Sequence, residues 1–89
     1  MPLFFFNIRH DDVFEADQDG MIFESIEDAR EMASSTLRQL VADQLLAARP
    51  TDVLAIDIAD SKGIVLDTVT LDQAVLKPLA IEIGKIEEL

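Results

Sequence analysis

Asp17-Gln18-Asp19-Gly20-Met21-Ile22-Phe23-Glu24-Ser25-Ile26-Glu27-Asp28-Ala29 is the stretch whose reading decides the fold. It runs from an acidic turn through a short apolar strand into the capped start of a helix. At Ser25 the side chain is placed to accept a hydrogen bond from the N–H of Asp28. The Asp28 carboxylate can reach back to the N–H of Ser25, which is a capping-box arrangement. From there the apolar spacing is helical over residues 26 to about 48. Ile26, Ala29, Ala33, Leu37, Leu40, Val41, Gln44 and Ala48 fall on one side, with Leu45 at its edge. Asp28 and Glu31 near the start and Arg49 at the end suit the helix dipole. Pro50 stops the helix, because a residue before proline is steered out of the α region. Leu46 points away from the stripe. With Met32 and Gln39 on a nearby face, it marks a candidate partner contact.

Working outward, residues 3–8 (Leu-Phe-Phe-Phe-Asn-Ile) are β-rich. In a strand Phe4, Phe6 and Ile8 share one face, and Leu3, Phe5 and Asn7 the other; the first set is the expected core face. A polar turn follows at Arg9-His10-Asp11-Asp12. Val13-Phe14-Glu15 then reads as the return strand of a hairpin. Residues 21–23 either extend that strand past a bulge or form a short element of their own. After the helix, residues 52–59 alternate, with Leu54, Ile56 and Ile58 on one face and Val53, Ala55, Asp57 and Ala59 on the other. Asp60-Ser61-Lys62-Gly63 is a turn, and residues 64–70 return as the second hairpin. Residues 71–76 fit a short helical turn capped by Thr70.

These elements define an α+β domain: β-hairpin, one long helix, β-hairpin. The helix is packed on one face of an antiparallel sheet. Residues 1–76 form the domain and 77–89 a C-terminal extension, read as an additional or exchanged strand in which Leu79, Ile81 and Ile83 alternate. One helix covers only one sheet face. The other face, carrying Leu3, Phe5, Val53 and Ala55, is more apolar than a solvated face should be. A homo-oligomer would bury it. The expected interface residues are therefore Leu3, Phe5, Leu46, Leu79, Ile81 and Ile83.

Composition narrows the function. Eighteen acidic residues against seven basic ones give a net charge of −11 over 89 residues, yet 49% of the chain is apolar. A disordered acidic tail would lack that apolar content, so the chain folds and carries an acidic surface. Such a surface repels phosphate backbones, which argues against nucleic acid and for a basic protein partner. No apolar run approaches the ~20 residues that cross a bilayer, so no membrane role is expected. The first ten residues lack the basic region of a secretory signal. Cysteine is absent, which suits a reducing, cytoplasmic compartment.

No pattern assembles chemistry. The single histidine, His10, stands beside Asp11 and Asp12 like a base with an orienting acid, but no serine lies in a nucleophile motif. His10 reads as an exposed turn residue. A calcium loop is approached at Glu15, Asp17 and Asp19, which fill positions one, three and five, with Gly20 at six. Position twelve is then Ile26, and Glu27 comes one residue late. No metal, cofactor or catalytic residue is expected. The leading function is a non-enzymatic protein-interaction module that self-associates. The alternatives are an antitoxin-like regulator of a small basic protein and a weak calcium-binding module.

The pieces Met1-Pro2-Leu3-Phe4-Phe5-Phe6-Asn7-Ile8-Arg9, Asp11-Asp12, Asp17-Gln18-Asp19-Gly20, the helix start from Ser25 and Ile56-Asp57-Ile58-Ala59-Asp60-Ser61-Lys62-Gly63 resemble a family of short bacterial proteins known as a domain of unknown function. That resemblance covers roughly residues 1–70. It implies the fold and a bacterial source, and it brings no activity or ligand. Gly20 followed by Ser25-Ile26-Glu27-Asp28-Ala29 is also similar to acidic antitoxins of the HicB type, which cover a small basic toxin.

Overall fold

A computed structural model describes residues 2–78. Leu79, Ile81 and Ile83, together with the proposed exchanged strand, lie outside the described residues. Strand β1 (Leu3–His10) is followed by two short strands, β2 (Phe14–Glu15) and β3 (Met21–Ile22). Helix α1 (Ile26–Leu46), strands β4 (Val53–Ala59) and β5 (Val65–Thr70) and a π-helical turn (Asp72–Leu76) complete the order. The sheet runs β2-β1-β4-β5, with β3 also paired to β1, and every pairing is antiparallel. Since β3 and β4 are both antiparallel to β1, they run in the same direction. Helix α1 is the crossover that carries the chain past β1 from one to the other.

The expected α+β order, with its long helix on one face of an antiparallel sheet, is what the structure shows. Ser25 caps the helix, its hydroxyl accepting from the Asp28 N–H at 3.2 Å; the return bond of the capping box does not form. Ala29, Ala33, Leu37 and Val41 are buried, as the stripe requires. They pack with Phe4, Val53, Ile56, Ile58, Val69 and Ala74 into one core, flanked by Phe6, Ile8, Phe23 and Ile26. Phe23 stacks on Phe6 with centroids 5.6 Å apart and tilts against Phe4 at 6.1 Å. Fully burying a side chain such as Leu37 contributes about 2 kcal/mol.

The helix ends slightly earlier than its periodicity suggests, in a six-to-one closing bond. The Arg49 N–H donates to the Gln44 carbonyl at 2.9 Å, and that of Ala48 to Leu45 at 3.1 Å. Ala48 takes φ +56 there, a left-handed position that usually falls to glycine. At the other end of the fold Thr70 and Gln73 exchange side-chain-to-backbone bonds at 3.2 Å each, a reciprocal cap on the final helical turn.

One expected face assignment is corrected. The β1–β4 register passes from Arg9↔Ala55 to His10↔Val53, so Leu54 has no partner and bulges out. The bulge turns Val53 to the helix side, where it is 1% exposed, and leaves Leu54 48% exposed. Val53 therefore belongs to the core and not to the open face.

Candidate functional site

Four places on this frame gather polar or unpartnered groups. The first is the end of β1. His10 is not the exposed turn residue expected of it: its side chain is only 17% exposed. Its Nδ1 lies 3.2 Å from an Asp52 carboxylate oxygen and its Nε2 3.4 Å from one of Glu15. The Gln44 amide, from the last turns of α1, donates to the same Asp52 oxygen at 2.8 Å. The hydrogen bond to Asp52 raises the His10 pKa above its usual value, against a lowering by desolvation, and Glu15 adds to the rise. Asp52 is lowered, chiefly by Gln44 and then by His10. The acids that orient His10 are thus Asp52 and Glu15, not the adjacent Asp11 and Asp12. The cluster ties β1, β2, α1 and the segment before β4 together, and among the described residues no hydroxyl is bonded to the ring.

The second place is the acidic turn. β2 and β3 lie along the same edge of β1, with a gap between them opposite Phe6. Asp17 fills that gap. Its carboxylate accepts from the Phe6 N–H at 3.1 Å, as a strand carbonyl would, and from the N–H groups of Asp19 and Gly20 at 3.1 and 3.2 Å. The Asp17 N–H donates to the Asn7 side chain at 3.0 Å. Burial pushes the Asp17 pKa up, but the three backbone donors together hold it below the usual carboxylate value. Gly20 closes the turn at φ +73, where an added Cβ would lie 2.9 Å from the Phe5 ring. Of the proposed calcium ligands, Glu15 leans to His10, Asp17 serves the backbone, and Glu27 sits in the first turn of α1. Among the described residues no three such side chains converge as a metal would need.

The third place is the open sheet face. Its centre is polar and satisfied: Asp57, 8% exposed, accepts from Arg9 at 3.0 Å and from the Thr68 hydroxyl at 2.7 Å. These three lie on neighbouring strands and stitch β1, β4 and β5 together. Ala55 and Ala59 beside Asp57 are buried, while Leu3 and Phe5 sit toward the β1 end of the face. A cavity of about 240 Å³ opens there, lined by Phe5, Asn7, Asp17, Ala59, Asp60 and Ser61 among others.

The fourth place is the outer edge of β5, to which no strand pairs among the described residues. Ile64, Val65 and Leu66 stand 57%, 51% and 49% exposed at its start. The sequence reading overlooked this edge, though the run of three apolar residues after Gly63 was its signal. Leu46, singled out on the helix, is 86% exposed, with Met32 exposed as well.

The arrangement defines a small α+β domain whose described residues assemble no catalytic or metal-binding constellation. It belongs to the family described as Domain of unknown function (DUF6894), which it matches over residues 3–72. Comparison with curated proteins finds no match, and neither does comparison with solved structures. No helix among the described residues is long and apolar enough to cross a membrane.

Proposed function

We propose that this chain is a non-enzymatic protein-interaction module of the bacterial cytoplasm, and that it self-associates through the outer edge of β5. The observation that carries the reading is that edge: backbone that no strand among the described residues pairs with, beside three half-exposed apolar side chains. Edge strands of soluble proteins are ordinarily blunted by lysine or another charge, proline, a bulge or a covering element. β5 contains neither lysine nor proline, and its one charge, Asp67, is paired with Arg30 at 2.8 Å. A bulge at Leu66 is its one irregularity, and it leaves the Thr68–Thr70 end of the edge regular. The opposite sheet edge offers only the two-residue strands β2 and β3, split by the Asp17 turn. A two-fold pairing of β5 with a second copy is therefore the closed solution that joins two sheets.

Val65→Lys tests this. The variant keeps the wild-type circular dichroism spectrum and sediments as a monomer where the wild type is dimeric. Wild-type association in the variant would overturn the reading. Added salt strengthens the dimer, because two chains of charge −11 repel each other.

The charge favours a second reading, in which an antitoxin-like regulator binds a small basic protein. The family match lends nothing to the antitoxin likeness. What supports this reading is the acidic balance of the chain and the anionic cavity beside Phe5.

A further inference from the structure

We infer that the cavity at the β1 end of the open sheet face is a docking site for an arginine side chain of a basic protein partner. The inference deepens the second reading above and does not depend on self-association. The cavity, about 240 Å³, is lined by an aromatic residue, Phe5, and two acidic ones, Asp17 and Asp60, with Asn7 and Ser61 beside them. Among the described residues no cationic side chain lines it. Arg9, two residues along β1, is held by Asp57 at 3.0 Å.

Both carboxylates are fixed in place before any partner arrives. Asp17 is held by three backbone donors. Asp60 Oδ1 accepts from the N–H groups of Lys62 and Ile64 at 2.9 and 3.0 Å, and among the described residues its Oδ2 takes part in no hydrogen bond. A guanidinium suits this lining, because its planar face stacks on an aromatic ring while its edge donates to carboxylates. Of the chain's seven basic residues, Arg9, Arg30 and Lys77 are paired with Asp57, Asp67 and Asp72, and Lys62, in the turn between Ser61 and Gly63, is not among the residues that line the cavity. Charge complementarity points outward, to a chain of opposite sign.

The test is a titration of the isotope-labelled full chain with acetyl-Gly-Arg-Gly-amide, followed by amide shifts at low salt. The control is the citrulline peptide, which keeps the shape and removes the charge. The arginine peptide produces saturable shifts confined to Asn7, Ala59, Ser61 and Gly63, and citrulline produces none. Added salt weakens the binding, opposite in sign to its effect on a β5 dimer, so the two proposals fail separately. Asp60→Asn keeps the turn-forming oxygen and loses the charge, and it weakens binding about fivefold. Phe5→Leu weakens it about two- to fivefold and decides the matter if the first variant alters the fold. Equal binding of citrulline, shifts spread over the acidic helix face at Glu27 and Glu31, or unchanged affinity in the variants would each overturn the inference.

Discussion

Replacing Asp17 with alanine removes the carboxylate that stands in for a missing stretch of strand. Three backbone N–H groups lose their acceptor: Phe6 on β1, and Asp19 and Gly20 in the turn. A hydrogen bond to a charged group contributes about 1.5–3 kcal/mol where water is excluded. The Asp19 bond is exposed, and water replaces it at little cost. The Phe6 and Gly20 bonds are half-buried and are discounted accordingly. The sum is about 2–3 kcal/mol, a large share of the roughly 5–15 kcal/mol that holds a domain folded. Asp17→Asn keeps one acceptor but sets an amide donor against the other N–H groups, and costs about half as much.

Urea unfolding at neutral pH measures both variants. The pH dependence supplies an internal check. The Asp17 pKa is depressed in the fold, so its stabilisation is present above the unfolded carboxylate value of roughly 3.9. It is lost as pH falls through the folded value. The gap between wild type and Asp17→Ala therefore closes in strong acid. A loss below about 0.5 kcal/mol, a size typical of neutral surface changes, would refute this role for Asp17. So would a gap that persists unchanged into strong acid.

Three further outcomes follow from the same geometry. Ala48→Gly relieves the left-handed strain at the end of α1 and raises stability by about 0.5–1 kcal/mol in the same unfolding assay. The His10 ring titrates above its usual value of 6.5 by NMR, and Asp52→Asn brings it down further than Glu15→Gln does. Because the folded value is raised, this cluster strengthens the fold below the unfolded pKa and loses that contribution as pH rises through the folded one. Calcium at millimolar concentration leaves the amide signals of residues 15–27 unmoved, since Asp17 is committed to backbone donors; saturable shifts there would restore the calcium loop.

Local chemistry was legible in the sequence where it is read over a few residues. Ser25, the Ala29-Ala33-Leu37-Val41 stripe, the Asp60–Gly63 turn and the Thr70 cap each announce themselves within one turn or strand. Long-range register was not. In Val53-Leu54-Ala55-Ile56 every residue is apolar, so alternation alone cannot say which side faces the helix, and the bulge opposite His10 decides it. His10 gains its acids from Asp52, far along the chain, and from the hairpin partner Glu15. Asp17 reads as a metal ligand or a turn residue until β2 and β3 are seen to leave a gap on β1. Arg9 and Asp57 became neighbours only once β1 paired with β4.

The claim on which the account turns is self-association, and the mass of the full chain in solution across concentration tests it most directly. Light scattering coupled to gel filtration should show the mass rising from the 9.9 kDa of one chain toward twice that value, with the transition moving to lower concentration as salt is added. A mass fixed at one chain throughout, at low and high salt alike, would contradict it.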